Sequence, residues 1–125
     1  MFSGCENLFD ISALSGWNTK SLTITSGMFY GMSKLENISA LENWDMSNVY
    51  HASSMFGNDE LLKDLSPIAK WNVGKLEYAT GLFVGTGVED ATVLNSWNTS
   101  SLKFEGDMFD SGVKAPKWYQ SLKQS

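Results

Sequence analysis

Tryptophan recurs along this chain at a nearly constant interval, which constrains the fold more than any other feature of the sequence. A Met-Phe or Leu-Phe pair recurs with the same period. Self-similarity with a period of about 20 to 50 residues is typical of repeat proteins, in which each unit stacks on its neighbours. The four tryptophans of the series are spaced 27, 27 and 26 residues apart, at Trp17, Trp44, Trp71 and Trp97.

The periodic positions divide the chain into four units and a divergent tail. Aliphatic residues align in further columns, one of which contains Leu14, Leu41, Ile68 and Leu94. A unit of this size is too small to bury its own apolar face, so stacking is expected to make the columns continuous inside the molecule. The tryptophans are therefore expected to be core residues rather than parts of a ligand cage. The predicted units are 1–27, 28–54, 55–81 and 82–107, followed by a partial repeat and C-terminal cap at 108–125.

Each unit is predicted to contain one short strand and short helical turns. The tetrapeptides "LFDI", "LENI", "LKDL" and "VEDA" are apolar at both ends, and we interpret each as a strand that pairs in parallel with the next unit. Ser66-Pro67 combines an N-cap residue with a following proline, which favours a single helical turn of α or 3₁₀ geometry. Val49, Ala52 and Met55 share one face of a possible further short helix. The predicted fold class is an α/β repeat solenoid, similar to a leucine-rich repeat, with one short parallel strand and short helical turns per coil of 26–27 residues.

The units resemble the BspA-like leucine-rich repeats of bacterial surface proteins. That family's pattern runs roughly "MF-x-G-C-x-x-L" and then "L-S-x-W-D-x-S-x-V", and it is matched by "MFSGC" at 1–5 and "WDMSNV" at 44–49. The resemblance covers residues 1–109 and implies a solenoid fold. It implies surface binding or adhesion more loosely, because solenoids have many different partners. The family's cysteine is present only as Cys5, and other residues stand near that position in the later copies.

The two ends of the array differ. The first unit begins on a repeat boundary without a polar cap, and an uncapped end would expose apolar surface and an open sheet edge. We therefore expect either a continuation into further repeats before Met1 or a partner that covers the first unit. Near the C-terminus the leucine pattern stops, and Trp118 and Tyr119 are predicted to close the last unit.

The charge balance and hydropathy limit the classes of partner. The chain has 14 acidic and 9 basic residues, which give a net charge of −5. Because binding to phosphates requires a basic stripe, no nucleic acid is expected as a partner. No apolar run approaches the roughly 18 residues of a membrane span, so none is predicted.

No pattern typical of catalysis or of a cofactor site stands out in the sequence. His51 is the single histidine and shares a column with Ile24, Tyr78 and Phe104. We expect a half-buried or stacked ring there rather than a zinc ligand, since no second histidine or cysteine pair accompanies it. Adjacent carboxylates are expected to be solvated loop charges, because acid–base catalysis requires a pocket. We therefore predict no enzymatic activity and no cofactor or metal.

One column of acidic and amide side chains raises calcium binding as an alternative. Each unit supplies only one such oxygen, whereas Ca²⁺ takes about 6 to 8 oxygen ligands. A ladder of side chains that satisfies backbone groups is therefore the favoured interpretation. The column contains Asp10, Asn37, Asp64 and Asp90.

The candidate binding residues are the side chains next to the predicted strands, because solenoids use such rows as extended binding surfaces. Two tyrosines are further candidates, since aromatic side chains often dominate protein interfaces. Local packing is the alternative for all of them. The predicted partner-binding residues are Phe9, Glu36, Lys63 and Glu89 in one column, Asp10, Asn37, Asp64 and Asp90 in the next, and Tyr30 and Tyr50.

The predicted function is that of a non-enzymatic protein-binding or adhesion module. We expect it to belong to a bacterial surface or secreted protein and to engage a protein of a host or neighbouring cell through the sheet face. One alternative is a structural spacer within a longer protein. A second alternative is a small acidic inhibitor or regulator in the cytoplasm, which would bind the basic face of another protein.

Overall fold

The computed structural model describes residues 11–124, and its regular elements are short. Four 3₁₀ helices are followed by one α-helix, α1, at Lys117–Gln124. Each 3₁₀ helix buries one aliphatic side chain, and the third begins at Ser66-Pro67, where the sequence predicts a helical turn. The 3₁₀ helices span Ser12–Gly16, Ser39–Leu41, Ser66–Ile68 and Thr92–Ser96.

Backbone hydrogen bonds connect residues that lie one repeat apart in the sequence. In segment 25–31, every second N–H group donates to a carbonyl 26 residues later, for example Thr25 to His51 and Phe29 to Met55, both at 2.9 Å. The intervening N–H groups bond within the same segment, as Met28 does to the Thr25 carbonyl at 3.1 Å. The same alternation recurs in segment 52–58, so each of these segments bonds alternately to itself and to the next unit.

This alternating pattern requires the chain to turn left-handed at two positions of each such segment. The φ angles there are between 57° and 82°, a region in which a side chain beyond glycine is disfavoured. Four of the six positions are glycine, while segment 52–58 has serine and asparagine instead. The two columns contain Gly27, Ser54 and Gly81, and Gly31, Asn58 and Gly85.

Replacing Ser54 by glycine should therefore stabilise the protein by about 0.5 to 1 kcal/mol. A left-handed residue with a Cβ atom costs about 1 to 2 kcal/mol, part of which is offset by the freedom that glycine gains in the unfolded chain. The measurement is the free energy of unfolding in urea. Ser53→Gly is the matched control, and we expect it to destabilise by about 0.5 to 1 kcal/mol because residue 53 has no positive φ. Equal losses in both variants would contradict the prediction.

The strands expected at 35–38 and 62–65 are not formed, and this part of the prediction was wrong. Both end residues of "LENI", Leu35 and Ile38, are buried. A strand would place residues three apart on opposite faces, whereas a turning chain buries both on one side. The described residues instead contain isolated parallel bridges, which join Ile24 to His51, His51 to Tyr78, and Asp90 to Lys114.

The short helix predicted around Val49, Ala52 and Met55 is also absent. All three side chains are buried, as one helical face would require. The segment forms successive turns, because its alternate N–H groups donate to the following unit and no continuous helical ladder results. Burial of these residues therefore follows the predicted pattern, while the backbone conformation does not.

Aromatic side chains of successive units stack on each other in the core of the protein. The phenylalanines of the Met-Phe and Leu-Phe pairs form a continuous stack with ring-centroid distances of 5.7, 5.6 and 5.5 Å. Tryptophans stack beside them, with 6.1 Å between Trp17 and Trp44 and 6.4 Å between Trp71 and Trp97. The stacked phenylalanines are Phe29, Phe56, Phe83 and Phe109.

The tryptophans also tie consecutive units together by hydrogen bonds. The indole N–H of Trp71 donates at 2.8 Å to the carbonyl of Leu41, which lies in the 3₁₀ helix of the preceding unit. Trp118, in α1, makes the equivalent bond to Leu94 at 2.7 Å and stacks on Trp97 at 6.0 Å. Helix α1 thus contributes to the tryptophan series although the repeat pattern has ended. The other two bonds of this kind join Trp44 to Leu14 and Trp97 to Ile68.

Asp59 is a buried carboxyl group in a largely apolar interior whose other buried polar side chains, among the described residues, are Thr19 and Thr25. Met32 and Thr86 hold the corresponding positions one repeat before and after it, and Asp59 is 0% exposed. The Met32 N–H donates to its Oδ1 at 2.7 Å, while Oδ2 has no hydrogen-bond partner among the described residues. Burial raises the pKa of Asp59 to about 8, so the group is mostly uncharged at neutral pH.

The free energy of unfolding should consequently fall as the pH rises from about 4 to 8. In the unfolded chain the Asp59 carboxyl ionises near its ordinary pKa of 3.8, whereas the folded protein resists ionisation up to about 8. Asp59→Asn should remove most of this slope and be more stable than the wild type at pH 8 by about 2 to 4 kcal/mol. Urea unfolding at several pH values measures both effects.

Asp64→Asn serves as the control for this experiment. Asp64 is exposed, and hydrogen bonds from the Ser66 backbone and side chain lower the pKa of Asp64. Its contribution to stability is therefore present above its ordinary pKa and lost in acid. The slope between pH 5 and 8 should persist in this variant; a slope that also persists in Asp59→Asn would show that another group causes it.

Candidate functional site

The predicted binding residues occupy two exposed rows and two separate tyrosine positions. Phe9 and Asp10 lie outside the described residues. The others in the rows, Glu36, Asn37, Lys63, Asp64, Glu89 and Asp90, are all exposed.

The row of Asn37, Asp64 and Asp90 has a local structural role. A side-chain oxygen of each residue accepts the backbone N–H two positions later, at 2.8, 2.9 and 2.9 Å. These turns lead into three of the 3₁₀ helices. The hydroxyl and then the N–H of Thr92 lower the pKa of Asp90, so its carboxylate is ionised at neutral pH.

A second row, after the tryptophans, forms the same kind of turn. The side-chain oxygen of Asn72 accepts the N–H of Gly74 at 3.0 Å, and that of Asp45 accepts the N–H of Ser47 at 2.9 Å. The hydrogen bonds from Ser47 are also the main cause that lowers the pKa of Asp45. Among residues 11–124, no group of three or more His, Cys, Asp or Glu side chains is placed to hold a metal ion.

Open depressions lie between the exposed rows. One is lined by Glu36, Asn37, Asp64 and Pro67, and the next by Glu36, Leu61, Lys63 and Asp64. Leu61 is 42% exposed, so this face combines charge with a single large apolar side chain. The depressions bring the two predicted columns of the second and third units together on one surface.

Tyr30 has contacts that account for its position. Its hydroxyl accepts a hydrogen bond from Nδ2 of Asn58 at 2.7 Å. Its ring lies over Gly57 so closely that a Cβ atom there would be 3.0 Å from Cδ2. The ring therefore packs between neighbouring units, as the alternative of local packing predicts, although it remains partly exposed.

An exposed apolar surface that sequence reasoning did not propose runs across the units. It consists of Ile24, Tyr50, His51, Tyr78 and Phe104, and we call it the aromatic stripe. Ile24 is 51% exposed, Tyr50 and Phe104 are each 38% exposed, and the other two are half-buried. The ring centroids of His51 and Tyr78 are 5.5 Å apart. Only Tyr50 among the stripe residues was a predicted binding residue.

The sequence contained a signal for this surface. Ile24, His51, Tyr78 and Phe104 already fall in one column of the repeat, and the bridges at Ile24, His51 and Tyr78 hold that column in register. His51 is half-buried, as expected, and its ring lies tilted to Tyr50 and edge-on to Tyr78 rather than stacked. Column identity alone does not distinguish the outer surface from the core, so the stripe was missed.

Two charged side chains lie beside the stripe. The ammonium group of Lys103 is 3.3 Å from the Glu77 carboxylate and 5.5 Å from the centroid of the Tyr78 ring. The hydrogen bond that Lys103 donates to the Glu77 carboxylate is the main cause that raises the pKa of Lys103, and Tyr78 adds to it. Tyr78 is thus already in contact with a cation supplied by the same chain.

Comparison with known families gives one match. Residues 1–122 match the family described as "Mycoplasma protein of unknown function, DUF285". No curated protein and no solved structure matches the chain. Within residues 11–124, helices are too short or too polar to cross a membrane.

Proposed function

The chain belongs to the DUF285 family of Mycoplasma proteins of unknown function, and we propose that it is a non-enzymatic protein-binding or adhesion module. We further propose that its units form a solenoid of the leucine-rich-repeat type, with the BspA-like repeats as the nearest pattern. The hydrogen bonds between residues 26 apart and the stacked phenylalanines support this architecture.

The observation that carries the proposal is the aromatic stripe. Large apolar side chains that are exposed in a contiguous row are a common mark of a protein–protein interface. A spacer can use ring contacts between its units, but it gains nothing from leaving Ile24, Tyr50 and Phe104 between 38% and 51% exposed. The stripe therefore favours a binding role over the structural alternative.

We place this module on a bacterial surface protein or a secreted one, with a protein of a host or neighbouring cell as its partner. The resemblance to surface-protein repeats is the basis for that location. The acidic net charge also fits the alternative of a cytoplasmic inhibitor, which would bind a basic protein of its own cell. Both alternatives use binding without turnover, and the cellular source of the partner distinguishes them.

Photo-crosslinking from defined positions tests the proposal. Benzoylphenylalanine would replace Tyr50 in the stripe, Lys63 in the predicted charged column, or Val93, which is 40% exposed in the fourth 3₁₀ helix. Each protein is incubated with intact host cells, neighbouring cells or cytoplasmic extract, and the adducts are identified by mass spectrometry. We expect one specific surface protein to be crosslinked from position 50 and not from position 93.

The other results separate the alternatives. A specific adduct from position 63 alone would assign binding to the predicted column and remove the stripe from the proposal. An adduct found only in cytoplasmic extract would support the inhibitor. Equal, unspecific labelling from all three positions would contradict a binding module and leave the spacer. Circular dichroism before irradiation verifies that each variant is folded.

A further inference from the structure

The backbone beneath the aromatic stripe is already hydrogen-bonded. The Tyr50 carbonyl accepts the N–H groups of both Glu77 and Tyr78, at 2.9 and 3.1 Å. The His51 carbonyl accepts the Thr25 N–H at 2.9 Å. These backbone carbonyls are therefore not available to pair with an added strand of a partner. Recognition of a partner must come from the side chains.

Tyr78 of the stripe and the neighbouring Glu77 already hold one cation, the ammonium group of Lys103. Lys103 reaches both the Tyr78 ring and the Glu77 carboxylate, which is the combination that attracts lysine or arginine from a binding partner. The pair is on the surface, where the side chains of Lys103 and Glu77 are 58% and 39% exposed. An exposed ion pair of this kind contributes little to stability, so a competing cation can displace Lys103.

The charge of the protein favours the same class of partner. The net charge is −5 and the chain contains more acidic than basic residues. Glu77 precedes Tyr78, and the exposed Glu105 follows Phe104 in the sequence. A carboxylate is thus the sequence neighbour of a ring at two places. The negative charge of these carboxylates is complementary to a basic segment.

We propose that the aromatic stripe docks an extended basic segment of a protein partner. Lysine or arginine side chains of the segment lie over the rings of Tyr50, Tyr78 and Phe104, and one of them takes the place of Lys103 beside Glu77. An extended segment fits because Tyr50, Tyr78 and Phe104 lie in three successive units, one ring in each. This inference rests on the proposed function and names the chemistry of the partner.

Fluorescence anisotropy with a labelled octa-arginine peptide tests the proposal on the full chain. Lys103→Ala should tighten binding about threefold, because it removes the internal competitor. Lys63→Ala makes the same change of charge away from the stripe and should alter the affinity by less than twofold. Equal tightening in both variants would show general attraction to an acidic protein and overturn the proposal.

The carboxylate is tested in the same way. Glu77→Gln should weaken binding about threefold, because the peptide loses an acidic partner at the ring. Glu36→Gln and Glu89→Gln remove the same charge from the predicted column and should leave binding almost unchanged. Equal weakening in all three variants would again reduce the effect to net charge and overturn the proposal.

The rings provide the last arm. Tyr50→Ser and Phe104→Ser should each weaken binding about threefold, and the double variant about tenfold. Both side chains are partly exposed, and circular dichroism is expected to show unchanged folding. An octa-glutamate peptide should not bind at all.

Failure of this inference can be distinguished from failure of the proposed function. Absence of peptide binding, or equal binding of the acidic peptide, would exclude a basic segment as the partner. A specific crosslink from position 50 would in that case still support a binding module with a partner of different chemistry.

Discussion

Hydrogen bonds between backbone groups one repeat apart are the interaction on which the rest of the structure depends. Segments 25–31 and 52–58 direct alternate N–H groups to the following unit and the others back into the same segment. This arrangement determines where the chain must turn left-handed and therefore where glycine recurs. It also brings equivalent phenylalanines within 5.5 to 5.7 Å of each other, so the core is a stack of identical positions.

Repetition also restricts what each unit can change. A residue at a core position lies between the equivalent residues of the preceding and following repeats. For Asp59 these are Met32 and Thr86. Its burial, with no partner for Oδ2 among residues 11–124, is a departure that weakens the folded state at neutral and alkaline pH. Surface columns have no such restriction, and the charged, aromatic and aliphatic side chains of neighbouring units differ there. Individual function is therefore expected on the outer columns, where substitutions cost little stability.

The aromatic stripe and the charged rows represent two kinds of surface. Asn37, Asp64 and Asp90 use their side-chain oxygens to form turns, so their recurrence is explained without a partner. The rings of Tyr50 and Phe104 contact His51 and Tyr119 at centroid distances of 6.3 and 6.2 Å, yet each residue remains 38% exposed. This contrast favours the stripe over the predicted columns as a binding surface.

The periodic sequence by itself determined the length of the units, the identity of most core columns and the positions of the short helical turns. The period and the core columns follow from spacing, because a repeated apolar pattern must bury equivalent residues, whereas the helical turn at Ser66-Pro67 follows from its capping residue and proline. Spacing did not determine the backbone conformation at 35–38. Leu35 and Ile38 are both buried, and this is compatible with a strand that is covered on both faces or with a turn that is covered on one side. The tertiary structure decided that question in favour of turns. It also decided which aromatic column lies outside, because exposure depends on the direction in which each unit packs against the next.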